Sequence, residues 1–376
     1  MKKLLTQARY DKSIFFNALI RYSLTLEFFQ LIRPFLVDLS SDSRLAQLHQ
    51  WIKKQFELTD LTLTVVSGDA SFRRYYRFEY QNQTFIAVDA PPDKEDSRPF
   101  VSVSQAYSQQ GVIVPEVVHA NLSLGFMCLS DLGDSLLLGE LDEHNVDHYY
   151  QKALALLTPI GEVTAIDGVA LPVYDEARLY TEMELLTQWL LPHHLNLSLT
   201  DEQHQTIKTA FKVLADNAMA QPQMGVHRDF HSRNLMITAD DELAVIDYQD
   251  AVVGAITYDA VSLLRDCYIQ WPEEVVYRHV LAFKQQMTVK FPELGQVSDS
   301  RFIRWFDLMG MQRHIKVCGI FARLYYRDGK KGYLKDIPMT LDYLIDAGKK
   351  YAEFSAFVAL LDAQVRPLLL KKSVKD

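Results

Sequence analysis

Three polar side chains in the run of residues 226–250 have types and spacing that could do chemistry together. The run reads VHRDFHSRNLMITADDELAVIDYQD, with Asp229 five residues before Asn234 and Asp247 thirteen residues after Asn234. Amide and carboxylate oxygens are ligands that Mg²⁺ prefers, so Asn234 and Asp247 are candidate metal ligands. Asp229 is then left to face a substrate hydroxyl. This division of roles is the one that a phosphoryl transfer needs.

A β-hairpin is the element that would position these groups. Residues 235–238 and 243–246 are short and apolar, and the polar residues 239–242 lie between them. Two strand-like runs joined by such a turn predict an antiparallel hairpin. The hairpin would bring Asn234 and Asp247 together at its open end. A buried hairpin with acidic turns is the alternative, but it would not require an Asn and two Asp at these offsets.

The spacing H-x-D-x-x-x-x-N, here His227, Asp229 and Asn234, resembles the catalytic loop of the protein-kinase superfamily. The second histidine, His231, and the run VIDYQD that contains Asp247 are similar to the aminoglycoside phosphotransferase and choline kinase family. The resemblance implies an α+β, protein-kinase-like bilobal fold with a small antiparallel-sheet N-lobe and a larger, mainly helical C-lobe. It also implies ATP and Mg²⁺ as cofactors.

Composition favours a soluble protein with a small-molecule partner. The chain has 376 residues, 48% of them hydrophobic and 23% charged, with a net charge of -9 and a pI near 5.7. This acidity disfavours nucleic acid or an anionic membrane as a partner, and we expect a monomer. Cys128, Cys267 and Cys318 are far apart and embedded in apolar sequence, which predicts buried thiols in a reducing, cytoplasmic compartment.

The first forty residues form a separate region. Residues 1–40 begin basic and turn apolar, but Arg21, Glu27 and Arg33 interrupt the apolar stretch, so no membrane helix or signal peptide is expected. We interpret the region as an amphipathic helical extension, or as sequence translated upstream of the true start. The predicted domains are this extension at 1–40, an N-lobe at 41–132 and a C-lobe at 133–376.

The predicted N-lobe begins with a helix at 43–58 and continues with strands at 61–66 and 72–80. The turn between these strands, SGDAS at 67–71, predicts a nucleotide loop with Gly68 and Ser71 at the phosphates, although a plain hairpin turn would read the same. Two further strands end near Ser130. Residues 130–132 are the expected hinge, where the backbone of Ser130 and Leu132 would meet the adenine edge.

The strand at 84–92 carries Asp89 where the superfamily places a phosphate-binding lysine. The following helix, at 97–110, has no glutamate in its interior to pair with such a lysine. Arg73 and Arg74 are the cationic substitutes that we predict first, with Lys94 behind them, because arginine binds phosphate oxygens in a bidentate fork. They could instead be solvated strand residues.

The predicted C-lobe consists mainly of helices, at 145–164, 174–189, 200–220, 273–291 and 301–326. Asp259, in the run GAITYDAVSLLRD, resembles the family's aspartate that tethers the catalytic loop. His227 is expected to brace the same loop rather than to react.

Four runs together resemble a narrower group: GDASFRRYYR, DAPPDKED, YTEMELLTQWLL and GMQRHIKVCGIFARLYYRDGKKGYLKDIP. They are similar to bacterial cell-wall sugar kinases, which use ATP to phosphorylate the anomeric hydroxyl of N-acetylmuramate and N-acetylglucosamine in peptidoglycan recycling. The resemblance extends from about residue 43 to the C-terminus, and this group is known for lacking the strand lysine. It implies that Asp229 is the general base or hydroxyl-orienting group and that Asn234 and Asp247 bind Mg²⁺.

Several residues are candidate sugar contacts under this resemblance. His231, if its segment is extended, would face the same side as Asp229; it could equally be a loop histidine bonded to backbone. The remaining candidates for the acetamido and lactyl groups are Glu182, Glu184, Gln312, Arg313 and Lys316, where a cation would suit the lactyl carboxylate. As solvated helix faces these residues would need no function.

Three rival functions follow from the same residues. An aminoglycoside or choline-type kinase fits the net acidity, because its acceptor would be cationic. A metal-dependent hydrolase could use His227, Asp229 and His231, with Asp247 or Asp250 as a further ligand, but it leaves Asn234 unexplained. A pseudokinase-like binding module would explain the missing lysine.

Overall fold

The structure, a computed structural model, describes residues 42–66 and 72–373. The predicted extension at 1–40 and the predicted phosphate contacts Gly68 and Ser71 lie outside these residues. The described residues form two compact units. The first unit runs up to Ser97 and includes Val117–Asp131; the second consists of Arg98–Glu116 and the chain from Leu132 onward. The helix predicted at 97–110 therefore groups with the second unit.

The first unit is built on a five-stranded antiparallel sheet with the strand order β1-β2-β3-β5-β4. Its strands are β1 Thr64–Val66, β2 Arg74–Tyr80, β3 Gln83–Asp89, β4 Val117–Asn121 and β5 Phe126–Ser130. Helix α1, Ser43–Gln55, covers one face of the sheet. The predicted small antiparallel sheet is confirmed.

Alternation along the strands decides which side chains face α1. Tyr76 and Phe78 of β2 and Ala87 of β3 are buried in one core with the apolar face of α1. Because successive side chains of a strand point to opposite faces, Asp89 lies on the same face as Ala87. The side chain of Asp89 therefore points to the α1 side of the sheet.

The second unit is mainly helical, as predicted. Its helices are α2 Arg98–Gln109, α3 Leu137–Glu140, α4 Val146–Glu162, α5 Glu176–Leu185, α6 Asp201–Met219, α7 Tyr258–Leu264, α8 Glu273–Met287, α9 Asp299–Asp328, α10 Ile337–Gly348, α11 Ser355–Leu360 and α12 Arg366–Ser373. Its strands pair two by two: β6 Ala165–Ile166 with β7 Val169–Ala170, β8 Gln223–Val226 with β11 Val252–Ala255, and β9 Leu235–Ile237 with β10 Leu243–Val245. Helix α5 continues as a π-helix over Leu186–His194.

Helix α9 is the central element of the second unit. It has 30 residues and is buried on most of its circumference through its middle turns. Other elements of the unit therefore enclose α9, although several of its buried side chains are charged or polar. Gly319 allows α5 to approach closely, because a Cβ at this position would lie 2.3 Å from the backbone carbon of Leu185.

The predicted hairpin is confirmed as β9 and β10. Leu235 pairs with Val245, and Ile246 donates a backbone hydrogen bond of 3.0 Å to the Asn234 carbonyl. Antiparallel pairing of β8 and β11 fixes the other side of the segment 227–234. The two strand pairs together hold this segment between them.

The prediction about the three cysteines can also be checked. Cys128, Cys267 and Cys318 are all buried and unpaired, which confirms the prediction of buried thiols. Over the ranges that the structure describes, we find no helix long and apolar enough to cross a bilayer.

Candidate active site

His227 braces the segment 227–234, which we call the catalytic loop. Its ring is fully buried, and Nε2 donates to the Ile246 carbonyl at 3.1 Å. Nδ1 is then free of hydrogen and accepts from the Asp229 backbone N–H at 3.3 Å. Burial lowers the pKa of His227 to about 4, so the ring is neutral. With both nitrogens used by the backbone, His227 has no nitrogen left to bind a metal ion.

Asp259, in the first turn of α7, holds the start of the catalytic loop. Its fully buried carboxylate accepts from the backbone N–H groups of His227, at 2.7 Å, and of Arg228, at 3.0 Å. Arg228 has a φ of 77°, a left-handed conformation that costs energy in a residue other than glycine. Burial raises the pKa of Asp259 to about 7, although the two N–H donors oppose the shift.

Asp266 holds the other end of the loop and was not assigned from the sequence. Its buried carboxylate accepts from the Ser232 backbone at 2.9 Å, from the Ser232 hydroxyl at 2.5 Å and from the Tyr268 backbone at 3.0 Å. Asp266 lies just after the C-terminal end of α7, in the run GAITYDAVSLLRD that also contains Asp259.

Asn234 and Asp247 lie together, as the hairpin prediction required. The Asn234 side-chain nitrogen donates to the Asp229 carbonyl at 2.9 Å and to Asp247 Oδ2 at 3.3 Å. Gln249 donates to Asp247 Oδ1 at 2.8 Å. Since the amide nitrogen of Asn234 faces these acceptors, its carbonyl oxygen is turned away from them. The donor set of one amide oxygen and one carboxylate fits a hard cation such as Mg²⁺, with water and phosphate oxygens completing the shell.

Asp247 shares a backbone feature with Arg228. Its φ is 65°, again in the left-handed region. Strained conformations of this kind occur where surrounding structure fixes them, and they cluster at functional sites. Here the hydrogen bonds from Asn234 and Gln249 hold the carboxylate in place.

The carboxylate of Asp229 stays ionised because cations surround it. Burial alone would raise the pKa of Asp229, but positive charges, led by Lys316 and including Arg313, hold it well below its ordinary value. A carboxylate of such low basicity is a good hydrogen-bond acceptor and a weak proton acceptor. The geometry therefore favours orienting a hydroxyl over early removal of its proton.

Glu182 on α5 lies at the centre of a buried polar network. One oxygen accepts from Arg228 at 2.6 Å, and the other accepts from Lys316 at 3.1 Å and from the Tyr174 hydroxyl. Lys316 also donates to the Tyr258 hydroxyl at 3.0 Å. Such satisfied networks fix the positions of their members. The network ties the catalytic loop to α5, α7 and α9.

The other predicted sugar contacts differ in burial. Glu184 is exposed beside Gln188, as expected for a solvated helix face. Gln312 and Arg313 are only 0% and 2% exposed, so the solvated-face interpretation is wrong for both. The same interpretation is wrong for Lys316, which is buried.

Three of the predicted sugar contacts leave buried hydrogen-bonding atoms unused. Gln312 donates to the Tyr174 hydroxyl at 3.4 Å, but within the described part of the chain its Oε1 has no partner. Arg313 Nε and Nη1 and His231 Nδ1 are likewise buried without a hydrogen bond there. His231 has an extended backbone, as the sequence interpretation supposed, and its ring lies edge-on to Tyr268 at 5.4 Å. Buried polar atoms without partners indicate a ligand or water.

In the first unit, Arg74 is shared by two carboxylates. Its guanidinium pairs with Asp42 and, at 2.5 Å, with Asp89, which is fully buried. Arg44 of α1 donates to the same Asp89 at 2.9 Å, a contact that the sequence did not suggest. A phosphate bound by Arg74 would have to compete with both carboxylates.

The remaining predicted nucleotide contacts of this unit have fixed positions too. Arg73 is 4% exposed and lies 3.4 Å from Glu95, so it is not a solvated strand residue. Ser130 ends β5 opposite Phe85 of β3, and Leu132 begins the second unit. Lys94 is exposed and lies 3.7 Å from Asp93.

Comparison with known proteins decides the family. A family model described as the phosphotransferase enzyme family matches residues 62–291. The chain belongs to this family. An N-acetylmuramate/N-acetylglucosamine kinase of Neisseria meningitidis serogroup B is 40% identical over 324 residues, covering 85% of this phosphotransferase and 95% of the relative. The kinase of the same name from Pseudomonas aeruginosa is 38% identical over 334 residues, covering 86% and 97%.

Solved structures share the kinase-like fold of this phosphotransferase. The Plasmodium vivax ethanolamine kinase has a TM-score of 0.60 at 10% identity, covering 86% of this chain and 95% of that chain. The complex of gentamicin with APH(2")-IIa has a TM-score of 0.55 at 18% identity, covering 81% and 97%. The α+β fold with a small antiparallel sheet and a larger helical part is thereby confirmed.

Proposed function

We propose that the phosphotransferase transfers the γ-phosphoryl group of ATP to the anomeric C1 hydroxyl of N-acetylmuramate, N-acetylglucosamine or both. The observation that carries the proposal is the ionised Asp229 surrounded by cations and by buried, unused hydrogen-bonding atoms. The names of the relatives at 40% and 38% identity support the choice of sugars. The reaction would serve the recycling of cell-wall sugars in the cytoplasm.

The charge around Asp229 favours this acceptor over a cationic one. The net charge of -9 suits an aminoglycoside or choline, which is the alternative that we retain. The immediate surroundings of Asp229, however, contain Lys316, Arg313 and Arg228. Cations repel an ammonium group and attract a carboxylate or a phosphoryl group. Glu182 pairs with Arg228 and Lys316, so Arg313 is the cation that stays unpaired among the described residues, and its guanidinium fits an anionic or neutral acceptor better.

Five residues in or next to the catalytic loop have a defined part in the proposed reaction. Asp229 accepts a hydrogen bond from the C1 hydroxyl and so directs the hydroxyl oxygen toward the γ-phosphorus. It then takes the hydroxyl proton as the bond between that oxygen and the phosphorus forms. Asn234 and Asp247 would hold Mg²⁺, which when bound would neutralise charge on the phosphates. His227 and Asp259 keep the loop backbone fixed. The low pKa of Asp229 matches a late proton transfer.

For the nucleotide, we propose contacts from the first unit and the residue that follows it. Gly68 and Ser71 would cover the phosphates with backbone N–H groups, and Ser130 and Leu132 would meet the adenine edge. Arg73 and Arg74 stay the proposed cations for the phosphates. Because Arg74 is already paired with two carboxylates, it would neutralise only a small part of the charge on the phosphates.

For the sugar, we propose contacts from Gln312, Arg313 and His231. The unused Oε1 of Gln312 suits an amide N–H, and the unused nitrogens of Arg313 suit oxygen acceptors near the reacting hydroxyl. Glu182, which we predicted as a sugar contact, has both oxygens engaged by protein groups. We therefore assign it the role of positioning Arg228 and Lys316.

Phosphorus NMR tests the proposal directly. The protein is incubated with Mg·ATP and either sugar, and the expected product is an anomeric phosphate whose phosphorus couples to H1. Asp229→Ala should lower turnover by at least about a hundredfold, since it removes the oriented acceptor. Asp240→Ala, an exposed acid in the β9–β10 turn, is the matched control and should keep full turnover.

Two outcomes would decide against the proposal. If neither sugar is phosphorylated while calorimetry shows ATP binding, the acceptor belongs to another class, and turnover of kanamycin or choline would identify it. If both sugars react but Asp229→Ala keeps most of the turnover, the role of Asp229 is wrong and the substrate assignment stands.

A further inference from the structure

One face of helix α9 carries a row of three cations. Arg313, Lys316 and Arg323 are separated by three and seven residues, a spacing that places side chains on one face of a helix. Arg323 was not singled out by its sequence context. The row extends from the neighbourhood of Asp229 toward the C-terminal end of the helix, since Arg313 and Lys316 act on Asp229.

The three cations differ in what they bind. Lys316 is neutralised by Glu182 and also donates to Tyr258. Arg313 has no ion pair or hydrogen bond to any residue in the ranges 42–66 and 72–373, and neither has Arg323. The Nε atoms of both arginines are buried. Arg313 is buried, whereas Arg323 is half-buried with its Nε withdrawn from water. A buried guanidinium N–H without an acceptor is costly, which points to an acceptor supplied by a ligand.

The position of Arg323 is defined by its neighbours. It lies within the electrostatic reach of Glu182, and burial together with the like charge of Arg327 lowers its pKa. Glu182, though, uses its two oxygens for Arg228, Lys316 and Tyr174. Asp328, the other carboxylate that acts on Arg323, is paired with Arg327. The protein thus brings two carboxylates near Arg323, and neither is bound to its guanidinium.

Arg313 and Arg323 are too far apart along the helix to serve the same group. Ten residues of α-helix correspond to a rise of about 15 Å. Arg313 is at the end of the row near Asp229. The phosphoryl group of ATP and the reacting hydroxyl would lie there whichever sugar is bound. Arg323 is at the other end, where only a substituent remote from the reacting hydroxyl could reach it.

Building on the proposed function, we propose that Arg323 binds the carboxylate of the lactyl substituent that N-acetylmuramate has and N-acetylglucosamine lacks. Arg323 is then the residue that determines specificity between the acidic and the neutral sugar. A planar guanidinium matches a carboxylate in a bidentate pair. Of the nearby cations, Arg228 and Lys316 are paired with Glu182, and Arg327 is paired with Asp328.

The packing of α9 supports a preorganised role for Arg323. Gly319 lies one turn before Arg323 and brings α9 into contact with the backbone of Leu185 and Leu186. This close contact fixes the part of α9 between Lys316 and Arg323. A receptor held in place before binding loses less freedom when the ligand arrives.

The test is a comparison of KM values for the two sugars. Arg323→Ala should raise the KM for N-acetylmuramate by about 10- to 100-fold, as expected for loss of charge-assisted hydrogen bonds. The KM for N-acetylglucosamine and both kcat values should stay within about twofold, because Arg323 does not contact the reacting end. Arg323→Lys should restore part of the lost affinity, since it keeps the charge without the planar fork.

Arg327→Ala is the matched control, because Arg327 is an exposed arginine one turn further along α9. It should leave both KM values unchanged. Thermal unfolding followed by circular dichroism shows whether each variant is folded. If the Tm of Arg323→Ala is well below that of the wild-type protein, Arg323→Gln is used in its place. An equal rise in KM for both sugars, or no rise for either, overturns the assignment of Arg323. If the wild-type protein phosphorylates neither sugar, the proposed function itself fails.

Discussion

Replacing Asp259 by Asn should separate the positioning of the catalytic loop from its chemistry. The carboxylate of Asp259 accepts two backbone hydrogen bonds, at 2.7 and 3.0 Å, from His227 and Arg228. Asparagine keeps the shape but has one acceptor oxygen, so its NH₂ group would face one of the two N–H donors. Each hydrogen bond to a buried charge contributes about 1.5–3 kcal/mol.

The magnitude follows from these contacts. One charge-assisted bond is lost and one becomes neutral, while removal of a buried charge offsets part of the cost. We expect the free energy that holds the catalytic loop in its conformation to fall by about 2 to 3 kcal/mol. If this loss appears in the transition state, kcat falls by about 30- to 150-fold. The KM for ATP should change little, because Asp259 contacts only backbone.

The assay measures kcat and the free energy of unfolding in urea for Asp259→Asn at pH 8. Since the pKa of Asp259 is raised to about 7, this pH keeps the wild-type carboxylate ionised. Asp342→Asn is the control: Asp342 is 51% exposed and accepts from Arg366 at 2.8 Å. An exposed pair contributes less than about 1 kcal/mol, so neither kcat nor stability should change much.

Two results would refute the reasoning. If Asp259→Asn keeps kcat within twofold and its unfolding free energy is unchanged, the two hydrogen bonds do not hold the loop. If stability falls but kcat does not, Asp259 supports the fold of the second unit without setting the geometry of the reaction. Only a fall in kcat exceeding that of the control agrees with the positioning role.

Three further predictions concern helix packing, pH and the metal. Gly319→Ala should destabilise the protein by about 1–3 kcal/mol, because its Cβ would meet the Leu185 backbone at 2.3 Å. Gly310→Ala on the same helix has its nearest atom at 3.7 Å and should be neutral or stabilising in urea unfolding.

Burial lowers the pKa of His314 to about 3, so between pH 7 and 5 only the unfolded state takes up a proton there. This proton uptake lowers the free energy of unfolding of the wild-type protein by about 2 kcal/mol between pH 7 and pH 5. The free energy of unfolding of His314→Gln should fall by correspondingly less over the same range. Asn234→Ala should raise the Mg²⁺ concentration needed for half-maximal activity by at least about tenfold; an unchanged magnesium titration would contradict its role as a ligand.

Local patterns predicted the catalytic hairpin well. The apolar runs at 235–238 and 243–246 are short, and their polar turn is unambiguous, so pairing of neighbouring segments followed from the sequence. Asn234 and Asp247 therefore came together as predicted. The hydrogen bond between them depends only on this local geometry.

Contacts between distant segments could not be predicted in the same way. Asp266 binds Ser232 across 34 positions, and Arg44 binds Asp89 across 45. In the sequence Asp266 is simply an acid after a helix, and Arg44 a basic residue near a helix start. Their partners are set by how helices and strands pack, which residue spacing does not encode.

Glu182 illustrates why the partners of a charged residue cannot be predicted from its type. The sequence placed it on a helix near the sugar, and the structure puts it beside the catalytic loop. Its carboxylate is nevertheless satisfied by Arg228, Lys316 and Tyr174. Charge alone shows that a residue can pair with an opposite charge. Only the fold shows whether that charge is on another side chain or on a ligand.

The same limit applies to electrostatics and bears on the proposed choice of acceptor. A net charge of -9 argued for a cationic substrate, yet the carboxylate of Asp229 is surrounded by Lys316, Arg313 and Arg228. Composition averages over the whole surface, whereas a bound ligand responds to charges within a few ångströms in a site of low dielectric. Helix α9 concentrates its cations on one face because they recur at helical spacing. The charges near a ligand can thus differ from the net charge, and we propose that the unpaired guanidinium of Arg313 bears on which acceptor binds.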